Sequence, residues 1–416
     1  MADNKIYSLN DIYSEDEIIY QSERYHKAVL KFRELYGDVP FRLFSAPGRT
    51  EIGGNHTDHN HGKVLAAAVS LDVIAVVEKT DDSIIKIRSE GFPVDVVDIS
   101  DLSVKPADIN TSSALIRGVA EGFVKNGYKI GGFRAYTTSK VLKGSGLSSS
   151  AAFEILVGTI LNYLYNDGIV PPIKLAQISQ YAENIHFGKP SGLMDQMASS
   201  VGSFITIDFK DNENPDINSL SFDFKKSGYN LCIVDTKGNH SDLTNEYASV
   251  PQEMKAVAEF FRKDYLREIT KKQLLESIDE VRKATSDRAV LRALHFFDEN
   301  ERVEKEFLAL KDGRIEDFFK EVRASGNSSY KYLQNIFPCS SPENQGLSLA
   351  LYTAENILGN DGAFRVHGGG FAGTIEAFVP DGKLTEFENE MNRIFGDKSC
   401  QVISIRPVGG VEMSLK

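Results

Sequence analysis

The chain has 416 residues, with 47 basic and 59 acidic side chains and a net charge of −12. At roughly 100–200 residues per domain, that length implies two domains or three, and the acidic balance excludes a general nucleic-acid binder, which needs a basic footprint to displace counterions. Hydrophobic residues at 41% and charged residues at 25% exclude wholesale disorder.

The first twenty residues are polar and acidic, without the basic-then-apolar order of a secretory signal. Residues 16–36 have Ile19, Tyr20, Ala28, Val29, Phe32 and Leu35 at three-to-four spacing, which predicts an amphipathic helix. Short apolar runs, several of them β-branched-rich, predict strands at 41–46, 64–68, 73–78 and 84–88. The longest apolar stretch, 64–77, is interrupted by Ser70 and Asp72 and is too short to span a bilayer. A helix is expected at 113–125, a strand at 132–138, and a helix at 175–187 stopped by Gly188 and Pro190. Strands at 204–209 and 229–235 flank a polar stretch, where the boundary between domains 1–215 and 216–416 is drawn. Residues 244–323 read as several helices, and strand character returns at 363–367, 373–379 and 400–407. Helices and strands mixed without a βαβ rhythm predict an α+β architecture. Cys232, Cys339 and Cys400 are far apart with no CxxC spacing, which predicts reduced thiols. The composition therefore points to a soluble cytoplasmic protein with neither a membrane nor a nucleic acid as partner.

Three glycine-containing segments hold the chemistry. Residues 46–62, APGRTEIGGNHTDHNHG, read as a loop crowded with hydrogen-bonding side chains. His56, Asp58, His59 and His61 are plausible metal ligands, although their order matches no established zinc spacing. The alternatives are a solvated turn, or a loop whose Asp and Asn meet the hydroxyls of a polyol. Residues 144–152, GSGLSSSAA, precede a strongly apolar helical stretch. The serines then open a helix whose unpaired N–H groups favour an anion, unless they merely cap it. The segment is neither a Walker A loop nor a GxGxxG fingerprint. Residues 366–373, VHGGGFAG, allow either a close backbone approach or a tight bend. Beyond these segments, Glu183 falls on a predicted helix and Asp195 among apolar neighbours, where it is either an N-cap or a partly desolvated base.

Taken together, these segments resemble the galactokinase branch of the GHMP small-molecule kinases, from about Tyr36 onward. Three motifs occur in the family's order: Gly48-Arg49 through His56-Thr57-Asp58, then 144–152, then 368–373. The resemblance implies a two-domain α+β fold with ATP and sugar in the interdomain cleft. It implies that Gly144, Ser145, Gly146, Leu147, Ser148, Ser149 and Ser150 cradle the triphosphate, with Ser89 as a further nucleotide contact. Ser150 and Glu183 match the magnesium ligands. Asp195, in Gly192-Leu193-Met194-Asp195-Gln196, matches the catalytic aspartate that takes or orients the proton of the sugar's C1 hydroxyl, and Arg49 the arginine beside it. Asn55, His56, Thr57, Asp58, Gly192 and Tyr247 fall on sugar-binding positions. A monomer is favoured.

The chain also departs from the pattern. Glu51 stands where the family has Asn, Asn55 where it has the Glu that binds the galactose 6-hydroxyl, and His59 where it has Tyr. A tryptophan common near the nucleotide is missing. An amide at 55 would tolerate a carboxylate, so galacturonate or another C6-modified sugar is the alternative substrate to galactose. A sugar-and-ATP sensor without catalysis is the alternative from another class, and the complete 148–152 segment argues against it.

Overall fold

The computed structural model describes residues 5–141, 146–238 and 243–415. The chain forms two compact units. One comprises Met1–Arg49, Ala67–Ser203 and Ile405–Lys416; the other comprises Thr50–Ala66 and Phe204–Ser404. A single cut at 215/216 does not follow this division, because two long strands pass from one unit into the other and the C-terminal segment returns to the first.

In the first unit, helix α1 (Ile18–Tyr36) ends at Gly37, whose φ of 84° suits a residue without Cβ. It buries Gln21, Arg24, Tyr25, Ala28, Val29 and Phe32, whereas Ile19, Tyr20 and Leu35 are exposed. The apolar spacing therefore locates the inward face at Ala28, Val29 and Phe32 but not at Ile19, Tyr20 and Leu35. The reason is Arg24, whose Nη1 lies 2.5 Å from Asp72 Oδ1 inside the unit. A buried charge needs a partner more than Ile19 needs cover.

Strand β1 (Arg42–Gly53) runs far past the expected 41–46, so half of the predicted loop 46–62 is buried strand. The turn begins only at Gly54, with φ at 90°. Strand β2 (Lys63–Lys79) joins the two strands expected on either side of Ser70 and Asp72. Asp72 stays inside because Arg24, Arg406 (2.9 Å), Tyr13 (2.5 Å) and Ser45 all engage its carboxylate. Burial alone would raise its pKa, but the two guanidinium charges outweigh that and hold it below the usual carboxylate range.

Strands β3 (Ile84–Ser89), β4 (Val94–Asp98) and β5 (Phe133–Ser139) extend the sheet. From one edge, the order is the C-terminal strand Val411–Met413, then β1, β2, β5, β3 and β4. β2 runs antiparallel to β5, with Val73 opposite Ser139, and β3 runs parallel to β5, with Ile85 opposite Phe133. Helix α2 (Ser112–Lys125) is capped by the Thr111 hydroxyl, which accepts from Ala114 N–H. Helix α3 (Ser149–Tyr165) is buried almost all round. Helix α4 (Pro172–Tyr181) does not run on as a plain α-helix to 187: it loosens into a π-helical turn, Ala182–Phe187, before α5 (Met194–Val201). Such turns often mark functional positions.

In the second unit, β6 (Phe204–Asp208) pairs with β7 (Asp216–Leu220), a strand hidden within the polar stretch. β8 (Tyr229–Asp235), β9 (Ala363–His367), β10 (Thr374–Pro380) and β11 (Cys400–Ile403) form a second sheet in the order β11-β8-β10-β9. Helices α6 (Thr244–Phe260), α7 (Asp287–Lys311), α8 (Ile315–Ser328), α9 (Gly346–Leu358) and α10 (Leu384–Phe395) supply the remaining cores. Val250, Met254, Ala293, Phe296 and Leu333 form one, and Val234, Ile375, Leu347 and Phe387 another. Among the described residues, no helix is long and apolar enough to cross a membrane.

Candidate active site

The first unit brings Arg49, Ser148 and Asp195 together. Arg49 lies on β1, where its N–H donates to the Leu147 carbonyl (3.1 Å) and its guanidinium to the Gly146 carbonyl. The same guanidinium donates through Nε to Asp195 Oδ1 at 2.6 Å. Ser148 takes a left-handed backbone, φ 55°, and is the N-cap of α3. Its hydroxyl donates to Asp195 Oδ2 at 2.7 Å instead of capping the helix, so the first-turn N–H groups have no side-chain cap. A helix mouth in that condition favours an anion. Asp195 is the second residue of α5, not an N-cap. Burial pushes its carboxyl up, but the Arg49 charge and the two hydrogen bonds prevail and hold it below the ordinary range. Gly144 and Ser145 lie outside the described residues.

Two residues beyond Ser148, Ser150 donates to Glu183 Oε1 at 3.0 Å. The π-helical turn carries Glu183 and buries it. Magnesium takes oxygen ligands at about 2.0–2.1 Å in octahedral array, which sets neighbouring ligands about 2.9 Å apart. A hydroxyl and a carboxylate at 3.0 Å therefore fit that ion. Glu183 Oε2 accepts from Gln196 Nε2 (2.8 Å), and Gln196 also donates to Glu154 Oε2 (3.1 Å). Glu154 is fully enclosed; burial, reinforced by the neighbouring Glu183 charge, pushes its carboxyl well above the usual range. Neither supporting residue is singled out by the motifs, although Glu154 is a lone acid inside the apolar run 153–161.

Asn55, His56, Thr57, Asp58 and Tyr247 fall in the second unit, whereas Ser89 and Gly192 lie in the first. His56 Nε2 lies 2.9 Å from the Gly369 carbonyl, and burial lowers its pKa to about 4. A carbonyl only accepts, so the neutral ring carries its proton on Nε2 and leaves Nδ1 as an acceptor. Asp58 Oδ1 accepts from the His59 backbone N–H (2.9 Å). Tyr247 donates its hydroxyl to the Gly370 carbonyl (2.9 Å) and packs edge-on against Phe371, and burial raises its pKa to about 12. The close approach at 368–373 is thus made to the protein itself. A Cβ on Gly370 would sit 2.0 Å from the Asn335 carbonyl oxygen, and one on Gly369 2.6 Å from the Tyr247 ring.

Two expectations change here. Asn55 has no exposed surface, and its amide is fully used. It donates to Glu51 Oε1 (2.8 Å) and the Gly368 carbonyl (2.7 Å), and accepts from Asn335 Nδ2 (2.8 Å) and Ser329 Oγ (3.3 Å). No hydrogen bond remains for a sugar, and the case for a C6-modified substrate loses its main residue. Thr57 is also enclosed, with its hydroxyl directed at the Gly54 and Lys63 carbonyls, so it holds the turn. Ser89 ends β3 and accepts from Thr137 (2.9 Å), within the sheet. Gly192 lies in the connection between the π-helical turn and α5. Among the described residues, no three His, Cys, Asp or Glu side chains are arranged to hold a metal.

Comparison with known proteins follows the same lines. Residues 114–203 match the GHMP kinases N terminal domain, and residues 30–79 match the galactokinase galactose-binding signature. The Lactococcus lactis galactokinase complexed with galactose superposes with a TM-score of 0.80 at 23% identity, covering 93% of this chain and 99% of that one. The Methanococcus jannaschii mevalonate kinase gives 0.63 at 15% identity, covering 88% and 99%. At these identities the two structures speak for the fold, which is that of a GHMP kinase. Streptomyces coelicolor galactokinase is 32% identical over 349 residues, 84% of this chain and 87% of the relative. Actinobacillus pleuropneumoniae galactokinase is 32% identical over 374 residues, 89% and 92%. The chain belongs to the galactokinase family.

Proposed function

We propose that this chain transfers the γ-phosphoryl group of ATP to the anomeric hydroxyl of D-galactose, forming galactose 1-phosphate and ADP. The observation that carries this reading is the Asp195 carboxylate, fixed by Arg49 and Ser148 at the mouth of α3. Kinship with galactokinases supports the choice of sugar.

Asp195 accepts the hydrogen of the C1 hydroxyl and aims that oxygen at the γ-phosphorus. As the O–P bond forms, the bond from phosphorus to the bridging oxygen of ADP breaks and the hydroxyl proton passes to Asp195. A carboxylate held below its ordinary range is ionised at neutral pH yet weakly basic. In that state it can accept the hydrogen bond that orients the hydroxyl. Arg49 supplies positive charge, and the uncapped N–H groups of α3 receive phosphate oxygens. Ser150 and Glu183 would hold magnesium, which when bound offsets charge on the phosphate oxygens. His56 Nδ1 and the Asp58 carboxylate offer acceptors to sugar hydroxyls. Three free thiols, Cys232, Cys339 and Cys400, fit a reducing compartment such as the cytoplasm.

The test is ADP release from magnesium-ATP with galactose, galacturonate, N-acetylgalactosamine and arabinose as acceptors. Galactose is expected to give the highest kcat/KM, and Asp195→Asn to lower kcat by about 10²- to 10⁴-fold in protein that a thermal melt shows to be folded. A protein with no galactose-dependent turnover would sink the assignment.

A further inference from the structure

Glu183 has a cationic partner that the chemistry above leaves unused. Lys189 follows the π-helical turn, and its Nζ lies 3.0 Å from Glu183 Oε1, the oxygen that also accepts from Ser150. The lysine side chain is 56% exposed, whereas the Glu183 side chain is 2% exposed. A stem that lies largely in solvent thus sets its charged end on a buried carboxylate. The Lys189 backbone N–H is tied to the Glu183 carbonyl at 3.1 Å, so the residue is anchored while its stem can move. Glu183 Oε2 is held separately by Gln196. The ammonium therefore meets the same Glu183 oxygen that, with the Ser150 hydroxyl, is offered to a cation.

We propose that Lys189 is a monovalent stand-in for the divalent ion, neutralising Glu183 in the metal-free protein and giving up the position when metal and nucleotide arrive together. This rests on the reading of Ser150 and Glu183 as the metal-holding pair. A buried carboxylate with no cation is costly, so some positive charge must sit there before substrate binds. An ammonium suits the task because it is a compact point charge on a flexible chain, whereas a guanidinium fork would grip both oxygens. The lysine and the ion repel each other and compete for one oxygen. Free magnesium, which sheds its water reluctantly, is thereby disfavoured, and the metal-nucleotide complex, which brings phosphate contacts of its own, is favoured.

The experiment measures Mn²⁺ binding to nucleotide-free protein by the loss of the free-ion EPR signal. Lys189→Met is expected to bind Mn²⁺ about tenfold more tightly than the wild type, with Lys189→Arg no tighter than the wild type. Adding Glu183→Gln to Lys189→Met is expected to abolish the gain. If Lys189→Met binds Mn²⁺ no tighter than the wild type while Glu183→Gln weakens binding, the stand-in is overturned and the metal-holding pair survives. If Glu183→Gln leaves Mn²⁺ binding unchanged, the metal-holding pair fails, and the stand-in with it. Lys189→Gln provides a second neutral variant should Lys189→Met fail to fold, and thermal melts check both.

Discussion

Ser148 and Ser150, two residues apart where α3 begins, donate to different carboxylates: Ser148 to Asp195 at 2.7 Å and Ser150 to Glu183 at 3.0 Å. The separation follows from the left-handed backbone of Ser148, which places it outside the helix, whereas Ser150 is already within the first turn. One helix mouth thus fixes both the acid assigned to the sugar hydroxyl and the acid assigned to the metal.

The two serines should therefore fail differently. Ser148→Ala removes a charge-assisted hydrogen bond from Asp195 and is expected to lower kcat about 10- to 100-fold with little change in the magnesium requirement. Ser150→Ala should instead shift the magnesium concentration needed for half-maximal rate. Steady-state kinetics across a magnesium series separates the two, and identical profiles would refute the division.

Glu51 and Asn55 exchange the residue types usual at their positions, and the structure joins them by a hydrogen bond. Glu51 also pairs with the buried Arg365 at 3.0 Å. Asn55→Glu would set a second carboxylate against Glu51 and remove two amide donors, at an expected cost of about 3–5 kcal/mol. Adding Glu51→Asn should recover part of that cost, with a coupling of about 0.5–3 kcal/mol. Urea unfolding of the two single variants and the double variant gives the coupling, and strictly additive effects would show that the exchange is not a concerted one.

Asp72 gives the first unit a defined acid sensitivity. Its folded pKa lies below its unfolded value, so its stabilisation is complete above the unfolded pKa of about 3.9 and is lost as pH falls through the folded value. Asp72→Asn leaves Arg24 and Arg406 without their buried counter-charge and should cost about 3–5 kcal/mol at pH 7. Denaturant unfolding should show that gap unchanged down to about pH 5 and shrinking below about pH 4. A gap that widens on acidification would contradict the sign.

Regular elements with strong periodicity were legible in the sequence, as β8 and β9 illustrate. Misreadings occurred where tertiary partners override local character. Ala46 to Gly53 has the composition of a loop, yet neighbouring strands hold it extended and so place Arg49. Asp72 looked like an interruption until Arg24 and Arg406 were seen to neutralise it. The motifs singled out Arg49, Ser150, Glu183 and Asp195, which the fold joins as two hydrogen-bonded pairs. Asn55 was visible as a departure, but its enclosure depends on Ser329, Asn335 and Gly368, which are distant in sequence and close only in the fold. Lys189 gave no signal, because a lysine beside a proline reads as an ordinary solvated residue.

The contact between Asp72 and Arg406, 334 positions apart, bears on how the protein is made. While the chain emerges from the ribosome, β2 is complete long before Arg406 appears, and until then Asp72 lacks one of its two guanidinium partners. The edge of β1 likewise stays open until Val411–Met413 arrives to pair with Leu43–Ser45. The first unit to be synthesised is thus the last to close. A ribosome stalled before Arg406 and Val411–Met413 have emerged would hold a chain with an open sheet edge and an under-neutralised acid, a species suited to capture by a chaperone.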